Sequence, residues 1–313
     1  MVPLGIRSLT RFTLILATIS PPLQGAVTAL PGSDTTTVVL LGTGTPRPDP
    51  QAAGPATAIV VGTRVFLVDA GAGVMRQLAA AGLPINGVTA LFVTHLHSDH
   101  TLGYPDLILT SWVMGRRGPL RAYGPHGLDR MTRALLSAWS EDIDIRTRGL
   151  ERESPAGYQV QVHEVSPAGG VIYDSAGVRV IAIPVLHGSW PEALAYRFDT
   201  PDRSITISGD TRPSDALVQA AAGTDVLIHE VYPASRVAPE PRPGGDRWPQ
   251  YLRAFHTSDR ELGALASRID PPPKLLLLYH IVRMGASDEE ILAGVRAGGY
   301  RGRVVVGKDL DRW

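Results

Sequence analysis

The chain has 313 residues, 44% hydrophobic and 19% charged, enough for a substantial core in one large domain or two small ones. Lys+Arg and Asp+Glu both number 30, so no basic excess marks a nucleic-acid-binding protein. Cysteine is absent, which excludes disulfides and thiol nucleophiles and is compatible with an oxidising compartment.

The N-terminus has the order of a secretory leader. "MVPLGIRSLTR" carries Arg7 and Arg11 and no acid, the apolar run "FTLILATIS" is too short to span a bilayer, and "QGAVTA" places small side chains at Val27 and Ala29. Residues 1–29 are therefore predicted to be a signal peptide cut after Ala29. The mature domain is residues 30–313, periplasmic or secreted, with no stable membrane insertion after leader removal. Its balance becomes 28 basic against 30 acidic residues.

"VVLLGTGTPRPDP" reads as a buried strand followed by a Gly/Pro loop. "TAIVVGTRVFLVDAGAG" gives two strands joined at Gly62-Thr63, and "GVMRQLAAAGL" a helix stopped at Gly82-Leu83-Pro84. "GVTALFVTH" is a strand, "LGYPDLILTSWVMG" a helix, "RAYGP" a strand and "LDRMTRALLSAWSEDI" one amphipathic helix. The second half opens with β-branched and aromatic alternation in "YQVQVHEV", "GVIYDSAGVRVIAIPVLH" and "ALAYRFDT". "SITISGDT" is a strand and loop, "SDALVQAAAG" a helix capped by Ser214, and "TDVLIHEVY" a strand. "RVAPEPRPGGDRWPQYLRAF" reads as a long Pro/Gly loop, and "TSDRELGALASRI" as a helix capped by Thr257 or Ser258. "KLLLLYHI" is a strand, "SDEEILAGVRAG" a helix with Ser287 and Glu290 as a capping box, and "RVVVGKDL" the last strand. Short apolar strands with helices outside predict two facing sheets in one four-layer αββα domain.

The strand "VTALFV" runs into "THLHSDH", which holds three of the nine histidines and an aspartate at His95, His97, Asp99 and His100. Imidazole and carboxylate suit hydrolytic Zn chemistry. In an extended loop His95 and His97 point the same way, and a turn at Ser98 brings Asp99 and His100 to a second position nearby. Three further ionisable residues close apolar strands: His187 after "VIAIPVL", Asp210 after "SITISG" and His280 after "KLLLLY". Each alone is either a surface cap or functional; after such a loop they complete a set of metal ligands.

On "THLHSDH", His187, "SGDT" and "YH" the sequence resembles the metallo-β-lactamase superfamily over about residues 37–313. "LLGTGTPRP", "SGDTRPSDAL", "DVLIHE" and "FHTSDRELGALA" bring it closest to the ribonuclease Z-like branch, which includes secreted arylsulfatases and phosphodiesterases. The resemblance implies an αββα sandwich with two Zn²⁺ per chain. It implies His95, His97 and His187 on one ion, Asp99, His100 and His280 on the other, and Asp210 bridging. Two such ions about 3.5–4 Å apart would generate a hydroxide nucleophile at neutral pH and stabilise charge on an ester oxygen. Asp99 is then a ligand and a candidate proton acceptor. His256 matches a motif whose histidine donates to the scissile group; its alternative is a surface residue at a helix start. His229 and Glu230 are candidates to orient neighbouring groups or simply a satisfied buried pair. Trp112, Trp190, Trp248 and Tyr251 are candidate pocket aromatics or plain core anchors.

The leading expectation is an exported dizinc hydrolase of small phosphate or sulfate esters. The first rival is a ribonuclease Z that cuts precursor tRNA at its 3′ end. The leader, the slightly negative mature charge with only Lys274 and Lys308, and the short segment between "DIDIRTRGL" and "IYDSAGV" count against nucleic acid. A lactonase or β-lactamase is a further alternative. In the diiron oxidoreductases of this fold a carboxylate usually stands where this chain has His97, so histidine favours zinc. A relative with a dead site would lack a ligand, and none is missing. A homodimer is expected by family analogy alone.

Overall fold

A computed structural model describes residues 35–239 and 247–313; the leader-like residues 1–29 lie outside this range. The first half contains β1 (Thr36–Gly42), β2 (Ala56–Val61), β3 (Arg64–Val68), α1 (Val74–Ala80), β4 (Val88–Phe92), α2 (Ser98–Thr101), α3 (Tyr104–Val113), β5 (Leu120–Gly124), α4 (Leu128–Ala138), α5 (Ser140–Arg148) and β6 (Val160–Glu164). The second contains β7 (Gly170–Ser175), β8 (Val178–Val185), β9 (Ala193–Asp199), β10 (Ser204–Ile207), α6 (Asp215–Ala220), β11 (Val226–Val231), a 3₁₀ turn at Ala234–Arg236, α7 (Trp248–Phe255), α8 (Asp259–Ala266), β12 (Leu275–Ile281), α9 (Asp288–Ala297) and β13 (Val304–Val306).

The strands form two sheets, β1 to β6 and β7 to β13, each in sequence order. Near-continuous apolar strands such as "LLLLY" bury both faces. On β12, Leu275, Leu277 and Tyr279 enter the cluster between the sheets. Leu276 and Leu278 pack with Leu262, Leu265, Ile291 and Val295 of α8 and α9. On β3, Phe66 and Val68 face the other sheet, whereas Val65 and Leu67 lie under α1 and α3. The layers are therefore helices, sheet, sheet, helices, as the sequence predicts. Phe92 is central, with its ring 5.1 Å from Tyr123 in its own sheet and 5.3 Å from Phe198 in the other. Truncating so buried a ring costs about 3–5 kcal/mol. Among the described residues no helix is long and apolar enough to cross a membrane.

Three local readings differ from the structure. The single amphipathic helix is two, jointed at Trp139, which is both the C-cap of α4 and the N-cap of α5. "SED" then supplies the acidic first turn that favours a new helix start. The supposed loop before His256 contains α7, with Pro249 in its first turn where no intrahelical N–H is required. The capping box closes at Ser258 and Glu261 instead of at Ser287 and Glu290. Ser287 does accept from the Glu290 amide, but the Glu290 carboxylate takes Ser235 and Arg236.

Candidate metal centre

The C-terminal ends of β4, β8, β10 and β12 deliver the site's side chains. Two backbone features aim them. Gly209, at φ 58°, turns the chain from β10 to Asp210; a Cβ there would sit 2.8 Å from the Leu194 carbonyl and 2.9 Å from Thr94. On β12, Tyr279 pairs with Glu230 and Ile281 with Val231, so His280 is an extra residue in a bulge, with φ 42°. Strict alternation would send its ring under the outer helices with Leu276 and Leu278. The bulge turns it into the site, and packing on both sides holds the strained backbone.

Two groups of ligand-type atoms result, and Asp210 and His280 form a third with His256. His97 Nδ1 lies 2.9 Å from His95 Nε2 and 3.1 Å from His187 Nε2. Asp99 Oδ2 lies 3.6 Å from His100 Nε2 and 3.3 Å from His280 Nε2. Asp210 stands between the groups. Its Oδ2 is 4.0 Å from His95 and 3.9 Å from His187, and also 3.5 Å from His280; its Oδ1 is 3.4 Å from His100. All but His97 are buried.

The other nitrogen of most of these rings is tied down, which fixes the tautomer that presents a lone pair to the site. His187 Nδ1 donates to the Phe255 carbonyl at 2.7 Å, and His100 Nδ1 to Asp69 Oδ2 at 2.7 Å. His95 Nδ1 meets Thr94 Oγ1 at 3.0 Å, and that hydroxyl donates to Asp69. Asp69 therefore steadies one ring from each group. The sequence reading overlooked it, although it closes the apolar run "RVFLV" just as Asp210 closes its own. It sits at φ 61°, a conformation aspartate tolerates better than most residues.

Burial, with repulsion from neighbouring imidazoles, holds His95 well below the usual histidine range. Burial also lowers His97, and takes His187 to about 4. These rings are neutral at pH 7, the state a metal ligand needs. Burial opposes charge on Asp210 too, but His280, His100 and His95 outweigh it and push the carboxyl well below its usual range. His100 Nε2 and Asp210 Oδ1 face each other across the site and are buried without a hydrogen-bond partner. Unpaired buried atoms of this kind are costly and call for an ion. The donor set fits a divalent metal site.

His256 is buried between α7 and α8, its Nδ1 3.3 Å from Glu230 Oε1 and 3.9 Å from Asp210 Oδ2. Glu230 Oε1 also accepts from the amides of Thr257 (3.0 Å) and Thr211 (3.3 Å). Burial disfavours the imidazolium, but the Glu230 carboxylate overcomes it and raises His256 to about 9. His229 does not share this role. It lies on the face of β11 that carries Leu227 and Val231 under the outer helices, and its Nδ1 donates to the Glu230 carbonyl.

The aromatics divide in the same way. Trp190 donates from its indole N–H to His97 Nε2 at 2.5 Å. Trp248, Tyr251 and Phe255 stack along α7, at 5.2 and 4.4 Å between successive rings, and the first two line the cleft over the site. Trp112 is not a pocket residue. It is fully buried in the helix layer, donates to the Ser154 carbonyl and packs on Tyr158. Its nearness in sequence to the metal loop misled because α3 carries it away. The cleft has a volume of about 1590 Å³, and Arg47, Arg236, Arg247, Arg283 and Lys308 are among its lining residues.

A family model described as Beta-lactamase superfamily domain matches residues 64–281. The chain belongs to the metallo-β-lactamase superfamily. It is a metal-dependent hydrolase of ester bonds. Ribonuclease Z of Mycobacterium bovis is 34% identical over 279 residues, covering 88% of this chain and 96% of that protein. Ribonuclease Z of Mycobacterium tuberculosis is 33% identical over the same length. The fold is shared with the metallo-β-lactamase fold protein YhfI of Bacillus subtilis (TM-score 0.68, 18% identity, 90% of this chain and 100% of that one). It is shared too with the short form of human tRNase Z (TM-score 0.67, 20% identity, 88% and 98%).

These relatives overturn the ranking reached from sequence, which placed small phosphate and sulfate esters above RNA. Net charge is a weak guide to the substrate because it averages over the whole chain.

Proposed function

We propose that this protein is a ribonuclease Z-type endonuclease, with precursor tRNA as its substrate and two Zn²⁺ as its metals. His95, His97 and His187 would hold one ion, Asp99, His100 and His280 the other, with Asp210 shared. Divalent cations there supply an acidified water and neutralise charge on the ester. The chain's own groups do the rest. Asp69 and the Phe255 carbonyl orient the imidazoles. His256, kept protonated by Glu230, is placed to donate to a phosphate oxygen or to the leaving group. Asp99 remains the candidate proton acceptor.

The observation that carries this reading is the convergence of seven ligand-type side chains at a cleft larger than the roughly 300–1,000 Å³ that encloses a small ligand. Relatives named Ribonuclease Z across nearly the whole chain favour RNA as its occupant. The test is a panel of precursor tRNA, a bis-aryl phosphodiester, an aryl sulfate and a lactone, each with and without chelator. Chelator-sensitive cleavage of the tRNA with the highest kcat/KM is expected; no RNA cleavage alongside rapid sulfate or lactone turnover would reject the proposal.

A further inference from the structure

One wall of the cleft is the loop of residues 43–53, which runs from β1 to β2 and exposes Pro46 to Gln51. Its stems meet where the Gly44 amide donates to the Ala53 carbonyl at 2.8 Å. What holds its base lies at the other end of the chain.

Asp309 follows β13 by three residues. Its Oδ1 accepts from the amide and the hydroxyl of Thr43, both at 2.8 Å. Its Oδ2 accepts from the Ala53 amide at 2.7 Å and from Gln77 Nε2 of α1 at 2.6 Å. One carboxylate thus gathers both stems of the loop and a helix of the first sheet's outer layer. The backbone on either side of Asp309 is fixed as well. The Gly307 amide donates to Leu278 of β12, and beyond Asp309 the tail pairs with β1 through Val38 and Trp313 in both directions. The C-terminal segment therefore crosses from one sheet to the other at the cleft, and Asp309 is its contact with the loop. Charge-assisted bonds of this kind are about twice as strong as neutral ones. At the loop tip Arg47 faces the cleft, as does Lys308 beside Asp309; among the described residues neither has a carboxylate partner within salt-bridge distance.

We propose that Asp309 is a positioning residue: it fixes loop 43–53 as a wall of the cleft and so presents Arg47 to a polyanionic substrate, setting the binding of an extended RNA without taking part in the bond cleavage. The substrate half of this inference rests on the function proposed above; the positioning half does not.

The test compares wild type, Asp309→Asn and Gln77→Leu as metal-loaded full-length proteins. Asparagine keeps one acceptor for Thr43 but turns an NH₂ toward the Ala53 amide and Gln77, so donor faces donor. Hydrogen exchange should then quicken at the amides of Thr43 and Ala53 while β4 and β12 stay protected. For precursor tRNA, KM should rise about tenfold, as expected for one lost contact between Arg47 and a phosphate, with kcat within about twofold. The kcat/KM for a bis-aryl phosphodiester, which carries one phosphate and no extended backbone, should not change. Gln77→Leu removes a single donor and should move both readouts less, in the same direction. Unaltered exchange at Thr43 and Ala53 in Asp309→Asn would overturn the positioning claim whatever the substrate. An equal loss on both substrates, or a lost metal, would overturn it as well by showing a general structural role. Wild-type protein that cleaves no RNA, with the exchange difference intact, would sink the functional reading and leave the positioning of the loop supported.

Discussion

Replacing Glu230 with glutamine tests whether His256 works as an acid. Glu230 is fully buried, so the change keeps shape and removes one charge. The backbone amides of Thr257 and Thr211 still find an oxygen, and the fold should tolerate the exchange. What is lost is the anion 3.3 Å from His256 Nδ1. That anion, with Asp210 behind it, overcomes burial and lifts the imidazole from the ordinary 6.5 to about 9, together worth about 3 kcal/mol in favour of the protonated ring. Without it, Asp210 alone opposes burial and the ring holds its proton less tightly. The sign follows: a raised pKa keeps the acid loaded up to about pH 9, so the alkaline limb of kcat should move to lower pH in the variant. At pH 8 kcat should drop about tenfold, the effect of a pKa one unit below the assay pH, for an RNA leaving group and much less for nitrophenolate, which needs no proton. Metal content should stay unchanged. The assay is initial rates from pH 6 to 10 on both substrates. An alkaline limb that does not move in Glu230→Gln would refute the reasoning.

Asp210→Ala should abolish turnover because it removes the carboxylate that faces both ligand groups; retention of more than about a tenth of the rate, ~1.4 kcal/mol of barrier, would take it out of the core site. Asp69→Asn should weaken metal affinity by about 10–100-fold, since it disturbs His100 directly and His95 through Thr94; metal titration giving a wild-type constant would assign Asp69 to folding alone. The leader-like segment bears on the substrate: Met1 found intact by mass spectrometry of the native protein agrees with precursor tRNA, whereas an N-terminus near Leu30 would support export and contradict it.

Much of the architecture was legible because both sheets are built from apolar strands closed by turn residues. The site was legible because four of those strands end in histidine or aspartate. The misses have physical causes. Asp69 escaped because its partner, His100, is a neighbour only after β3 and β4 pair. His280 reaches the site through a bulge, which no alternation pattern announces. Trp112 follows the metal loop in sequence, but α3 turns it into the helix layer. α7 was hidden by Pro and Gly residues that precede it. Asp309, at the far end of the chain, has no local signal at all: its four hydrogen-bond donors lie more than two hundred residues away.

Titration of zinc into metal-free protein, followed by turnover of precursor tRNA, addresses the central claim most directly. Two clusters of ligands sharing Asp210 predict that activity rises to a break at two equivalents per chain and falls to nothing with chelator. Full activity at one equivalent, or RNA cleavage that persists with none, would contradict the two-metal centre.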